Sequence, residues 1–173
     1  MNHSTLKRAT IEDASIIALL GRVTFTETFG HLFPDKSELL AYYDRTFSVE
    51  KIEASLQKKT NVYWLATIDR LPVGYAKLKL DSSSNFLNCT TTCQLQKIYV
   101  LRDFLSQRVG LSLQKELLNY AQNNGYQNIW LSVLQSNERA LSFYINSGFN
   151  KIGTHEFQIG TQNFQFNVMA RDL

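Results

Sequence analysis

The sequence predicts an α/β (α+β) protein built on one twisted mixed sheet with helices on both faces. Three observations lead there. The first third of the chain carries helix signals, the periodicity then switches to two over residues 62–68 and 73–80, and the C-terminal half reads strand, helix, strand, helix, strand, strand. A run of helices followed by alternating elements needs both faces of a sheet covered.

In chain order, residues 6–9 form a short alternating strand. Thr10 and Asp13 have the spacing of a capping box ahead of Ile16, Ile17, Leu19 and Leu20, so a helix runs from Ile11 into the 24–29 region and stops near Gly30. Ser37 and Ser48 are candidate N-caps for helices over 38–43 and 49–57. The two period-two runs are rich in β-branched and aromatic residues, and 69–72 between them has turn composition, which predicts a hairpin. The polar stretch 81–92 reads as a loop, and 95–100 as the next strand. A short polar loop leads to a helix beginning near Val109, whose apolar stripe is Leu113, Leu117, Leu118 and Ala121 and which ends at Gly125. Residues 129–134 form a buried strand, Asn137 caps a helix through Ser147, and Gly148 stops it. Two last strands, 149–157 and 164–169, flank a turn at Ile159-Gly160-Thr161.

The 173 residues suit a single domain, 1–173, with a full core and neither a repeat nor a linker. A net charge of +3 from 18 basic and 15 acidic residues, scattered along the chain, argues against a nucleic-acid partner. No apolar run is long enough to span a bilayer, and the start, Met1-Asn2-His3-Ser4-Thr5-Leu6, does not read as a signal peptide. Cys89 and Cys93 stand close together with no histidine nearby, so the expectation is two reduced thiols, no metal site, and a cytoplasmic protein.

Two constellations carry chemistry. In 98–110 a strand ends and a helix begins after a short connection that contains Arg102, Arg108 and Gly110. Free N–H groups at a helix start and the positive end of its dipole attract phosphate. Alone, this also describes an ordinary strand-to-helix connection. In 137–149, Asn137 opens a helix, Ala140, Leu141 and Tyr144 share one side of it, and Gly148-Phe149 turns the chain into a strand.

The second run resembles the Asn-x-x-Ala-hydrophobic-x-Phe-Tyr-x-x-x-Gly-Phe pattern of the GNAT superfamily of N-acetyltransferases, and 95–113 resembles a degraded copy of that family's acetyl-CoA motif. The element order agrees over the whole chain. Thr24-Phe25-x-x-Thr28-Phe29 and the stretch from His155 to Gly160 are similar to the PaiA-type polyamine (spermidine) acetyltransferases. The resemblance implies transfer of acetyl from acetyl-CoA, as co-substrate, to a small-molecule amine such as a polyamine. It also implies that Ile98, Tyr99 and Val100 flank the pantetheine arm, that Leu105, Ser106, Gln107, Arg108, Val109 and Gly110 cradle the diphosphate, and that Asn137 contacts the cofactor. Tyr144 would be the acid that protonates the leaving thiolate, Glu27 and His155 would face the acceptor, and two copies could pair through sheet edges or C-terminal strands to form a homodimer.

The sequence departs from the family pattern at two points. The family loop reads Gln/Arg-x-x-Gly-x-Gly/Ala. An ungapped register anchored on Leu113 and Trp130 puts Leu105 at the first position, Arg108 at the first glycine and Gly110 at the second. A shifted register, Gln107-x-x-Gly110-x-Ser112, fits the letters but displaces the helix by two residues. The ungapped register is preferred, and it puts an arginine where a positive φ would be costly. Second, Gln94 and Gln96 stand where many relatives carry the basic glutamate, and a neutral amide cannot accept a proton. Water, Glu27 or the substrate's own equilibrium would then take the amine proton, and Glu27 reads equally as a solvated helix residue. The 161–167 segment offers a cationic acceptor no carboxylate, which leaves Glu27, Asp35, Glu38 and Asp44 as candidates. These departures keep open an alternative, a coenzyme-A-binding protein with weak or no catalysis and a regulatory role.

Overall fold

A computed structural model describes residues 4–173. Met1, Asn2 and His3, part of the segment read above for a targeting signal, lie outside the described residues. The elements are β1 (Ser4–Arg8), α1 (Ala14–Phe29), α2 (Lys36–Thr46), α3 (Val49–Leu56), β2 (Asn61–Ile68), β3 (Leu71–Lys79), β4 (Thr92–Val100), α4 (Val109–Asn123), β5 (Asn128–Leu134), α5 (Glu138–Asn146), β6 (Asn150–Ile159) and β7 (Gln162–Asp172). The strands form one mixed sheet in the order β1-β2-β3-β4-β5-β7-β6, and only β4 and β5 are parallel neighbours. Among the described residues no helix is long and apolar enough to cross a membrane.

Strand β2 shows how the two faces are filled. Val62, Trp64 and Ala66 enter the larger core with Leu113, Leu117 and Ala121 of α4, whereas Tyr63 and Leu65 pack with Ile17 and Leu20 of α1 and Ile52 of α3. Period-two alternation with both faces covered makes the strand almost continuously apolar. Helices α4 and α5 therefore share one face with the larger core, and α1 and α3 cover the other. A third cluster, Phe25, Phe33, Leu39, Tyr43, Phe47 and Ile159, ties α1 and α2 to the end of β6.

Local structure differs from the sequence reading at four places. Asp35 caps α2, its Oδ1 accepting from the Ser37 N–H at 2.8 Å, because a carboxylate is the stronger acceptor at a helix start. Ser48 caps α3 as expected, accepting from the Lys51 N–H at 3.3 Å. The hairpin turn is only Asp69-Arg70, both with positive φ, so Leu71 and Pro72 already belong to β3, and Pro72 sits beside a bulge. Residues 102–107 form a 3-10 helix rather than a loop, since the Phe104 N–H bonds the Leu101 carbonyl at 2.9 Å and the Phe104 ring packs on the core. β4 starts at Thr92, three residues before the apolar run, because Thr92, Cys93 and Gln94 pair with β5. Cys93, fully buried, acts there as a small apolar residue, and both cysteines are free thiols.

Candidate active site

The parallel neighbours β4 and β5 share only three register pairs, Thr92 with Asn128, Cys93 with Ile129 and Gln94 with Trp130. Beyond these the strands part. A bulge at Gln96 puts an extra residue into β4, where Leu95 pairs with Leu78 and Lys97 with Lys77, while β5 keeps unbroken register with β7. A bulge bends its strand and raises its twist, which is how β4 leaves its neighbour. The gap opens into a cleft of about 1080 Å³, large enough for a cofactor arm and an acceptor together.

One end of the cleft is built from main chain. Ile98, Tyr99 and Val100 line it, followed by Leu105, Ser106, Arg108 and Gly110. The first helical bond of α4 runs from the Ser112 N–H to the Arg108 carbonyl at 3.0 Å, so the N–H groups of Val109, Gly110 and Leu111 precede the intrahelical ladder. A Cβ on Gly110 would meet the Ile98 and Val100 methyls and the Phe143 ring at 3.9–4.0 Å, ordinary contact distances. Arg108 has φ 59°, ψ 15°, the left-handed conformation that favours glycine. The costly positive φ expected at Arg108 is present. Two residues of the expected cradle stand apart from the lining. Val109 is buried in the main core, leaving only its backbone to a ligand, and Gln107 is exposed outside the cleft.

Helix α5 supplies the next wall. Asn137 accepts from the Ala140 N–H through Oδ1 at 3.2 Å, so it caps the helix and also lines the cleft, with its Nδ2 donor left for a ligand. Arg139, which the sequence reading missed, lines the same end. Tyr144 is buried, its ring 5.3 Å from Phe143 and 5.7 Å from Phe149, and among the described residues no hydrogen bond holds its hydroxyl. Burial pushes its phenol well above the usual range. Tyr99 is raised as well, first by burial and then by the neighbouring phenols of Tyr42 and Tyr144, which shows that these three hydroxyls share one neighbourhood.

The other end is aromatic. Phe25, Phe29, Phe33, Tyr42, Phe164 and Phe166 line it, drawn from α1, the connection after it, α2 and β7. His155 lies there too, stacked on Phe166 at 5.2 Å. Its Nδ1 meets the Glu156 carbonyl at 3.2 Å and its Nε2 meets the Ser132 hydroxyl at 2.9 Å, which assigns the proton to Nδ1 and makes Nε2 the acceptor. Of the four candidate carboxylates, Glu27 alone lines the cleft, and its Oε2 accepts from the Arg102 N–H at 3.0 Å. The Arg102 guanidinium in turn donates to the Glu27 carbonyl. Asp35 is the α2 cap, Asp44 pairs with Arg22 at 3.2 Å, and Glu38 accepts from the Thr161 N–H at 2.9 Å, all outside the cleft. Gln94, Gln96 and Lys97 complete the β4 wall. Lys97 carries no sequence signal, because its place depends on the bulge beside it. Among the described residues no group of three His, Cys, Asp or Glu side chains could hold a metal ion.

The same architecture recurs among solved structures. The PaiA N-acetyltransferase of Thermoplasma acidophilum, crystallised in complex with coenzyme A, superposes with a TM-score of 0.79 at 17% identity over 99% of both chains. The ribosomal-protein-S18-alanine N-acetyltransferase of Escherichia coli gives 0.71 at 18% identity, over 98% of this chain and 94% of that one. In sequence, the chain is 25% identical over 147 residues to an uncharacterized N-acetyltransferase of Lactobacillus delbrueckii subsp. lactis, covering 82% of this chain and 81% of that relative. It is 27% identical over 135 residues to one from Mycobacterium bovis, covering 78% and 82%. The model of the acetyltransferase (GNAT) family matches residues 24–149, from the aromatic stretch of α1 through the end of the Asn137 to Phe149 pattern. With well over half of its length matched, the chain belongs to the GNAT acetyltransferase family.

Proposed function

We propose that this protein transfers the acetyl group of acetyl-CoA to the primary amine of a small molecule. The observation that carries the reading is the parting of β4 and β5, which brings the α4 N-terminus, the free side of β4 and the Tyr144 side chain into one cleft. The fit of the co-substrate rests on main-chain donors at Val109, Gly110 and Leu111, beside Arg108 and Arg139 for the diphosphate.

In the reaction the amine nitrogen attacks the thioester carbonyl, a C–N bond forms, the C–S bond breaks, and the thiolate leaves. Backbone N–H groups near Val100 supply charge stabilisation for the developing oxyanion. Tyr144 gives its proton to the thiolate and recovers one from solvent. Its phenol is raised by burial, but the same burial raises the thiolate it must protonate, so the transfer is judged by the difference between them. The acceptor ammonium loses one proton to solvent before attack, and the nitrogen of the tetrahedral adduct loses a second to solvent as the C–S bond breaks, since Gln94 and Gln96 can take neither.

A polyamine, the acceptor that the PaiA resemblance implies, would bring several cations to a lining whose one carboxylate is Glu27. A monoamine suits that lining better. The free thiols of Cys89 and Cys93 fit a reducing compartment such as the cytoplasm.

The test is thiol release from acetyl-CoA with spermidine, spermine, simple diamines and amino acids, beside calorimetry with acetyl-CoA. Saturable, amine-dependent thiol release is expected. Heat of binding without release from any amine would favour the second reading, a regulatory coenzyme-A-binding protein with weak or no catalysis, whose motive is Gln94, Gln96 and Arg108 on the cleft wall.

A further inference from the structure

Charge in the cleft is lopsided. Lys97, Arg102, Arg108 and Arg139 line it against the single carboxylate of Glu27. Arg108 and Arg139 stand at the starts of α4 and α5, the diphosphate end, and the Arg102 guanidinium is turned onto the Glu27 backbone carbonyl. Lys97 is a cation of the acceptor end that, among the described residues, only aromatic faces hold. Its ammonium lies 4.9 Å from the Phe47 ring centroid and 5.2 Å from that of Tyr99, and among the described residues no hydrogen bond or ion pair reaches it.

The neighbouring charges make this worse. Directly opposite on β3 stands Lys77, itself over the Tyr63 ring at 5.3 Å, and Lys51, Lys58 and Lys79 add positive charge around it. Like charges facing each other across a ladder are destabilising, and both lysines are half-buried. Burial lowers the Lys97 amine to about 8, and burial followed by the surrounding lysines lowers Lys77 to about 7. An anion beside Lys97 would supply the counter-charge that neither Lys77 nor the aromatic faces provide. The rings of Phe25, Phe33 and Phe164 line the cleft beside it.

On the reading that the protein is an amine N-acetyltransferase, we infer that Lys97 is a carboxylate-binding residue of the acceptor site and that the acceptor is an amino acid with an aromatic or large apolar side chain. The side chain lies among the phenylalanines, the carboxylate meets Lys97, and the amine is left to face the thioester. This selects against polyamines by charge as well as by the shortage of carboxylates.

The experiment compares L-phenylalanine, phenethylamine and spermidine as acceptors by thiol release, in the native protein and in Lys97→Met and Lys97→Arg. Phenylalanine should exceed phenethylamine in kcat/KM by about 10- to 100-fold, the worth of one charge-assisted contact shielded from water. Lys97→Met should collapse that ratio through KM, and Lys97→Arg should keep most of it. A ratio near one in the native protein, a preference for spermidine, or a ratio untouched by Lys97→Met overturns the inference while the acetyltransferase reading stands. If no amine releases thiol, that reading falls, and calorimetry of phenylalanine and phenethylamine against the coenzyme-A-loaded protein decides the inference. A Lys97-dependent preference for the carboxylate upholds it, and equal or absent binding ends it.

Discussion

The two ends of the cleft are made of different materials. The end proposed for the cofactor is drawn from two continuous stretches, the end of β4 running into α4 and the Asn137 cap running into α5. The acceptor end is side chains from α1, α2, β4, β6 and β7, held together by the aromatic cluster around Phe47. Main-chain sites depend on the order of strand, turn and helix, which tolerates wide variation in side chains. Side-chain sites depend on which distant segments meet, and there a relative's fold says little about its substrate.

The comparison can be broken most directly at Phe47. Its ring is fully buried and lies 5.9 Å from Phe25, 5.9 Å from Tyr42 and 6.2 Å from Tyr99, joining α1, α2 and β4. Phe47→Ala should cost about 3–5 kcal/mol of stability in thermal or denaturant unfolding. If the two ends are separate constructions, the acceptor KM should rise far more than the Kd for acetyl-CoA. Equal losses at both would show that the ends stand or fall together.

Next in size is Tyr144→Phe, which keeps the ring contacts with Phe143 and Phe149 and removes only the hydroxyl. Turnover should fall by about 100-fold or more, the usual worth of a positioned acid. The calorimetric affinity for acetyl-CoA should change little, since the cofactor end is held by main chain. Unchanged turnover would remove Tyr144 from the reaction.

The same division governs what could be read from the sequence. The element order, the capping box at Thr10 and Asp13, the hairpin, the Asn137 cap and the Gly148 stop are local patterns, and each stands in the structure. The cofactor end follows from them. Lys97 and the aromatic wall were not legible, because strand alternation counted from Leu95 fails once the bulge at Gln96 shifts the face. Nor could composition show that Asp35, Glu38 and Asp44 are taken up by a cap, a turn and an ion pair, since each partner lies on another segment or depends on the exact helix start.

A pH series sharpens the contrast, because the acceptor-side face of the sheet carries the crowded lysines. Lys77 sits at about 7 when folded, against an ordinary value near 10.4 when unfolded. Below pH 7 both states are charged and the burial penalty is complete, whereas above about 10.5 both are neutral and it vanishes. Between those limits the unfolded chain binds more protons, so stability should rise with pH, by at most about 1.4 kcal/mol per unit for one lysine. Lys97, at about 8, acts in the same direction. Cys93 and Tyr63, each pushed up to about 12 by burial, oppose them above about pH 9 and pH 10 respectively, so chemical denaturation should be followed from pH 7 to 8.5. Lys77→Met should flatten most of the rise, and an equally steep rise in that variant would place the titration elsewhere.

The smallest expected effect is the most informative about the cofactor end, because at Arg108 a side chain intrudes on a main-chain site. Its left-handed conformation costs a non-glycine residue about 1–2 kcal/mol, partly offset by the entropy that glycine itself would lose on folding. Arg108→Gly should therefore stabilise the protein by up to about 1 kcal/mol. If the guanidinium reaches the diphosphate, the same change should weaken coenzyme A by about tenfold, the worth of one exposed charge-assisted contact. Arg108→Ala separates the two contributions: it keeps the backbone strain and loses the charge, so affinity should fall as far with no gain in stability. Should both variants bind coenzyme A as tightly as the native chain, the diphosphate is held by backbone donors alone, and the arginine is a strained replacement for the family's glycine with no part in binding.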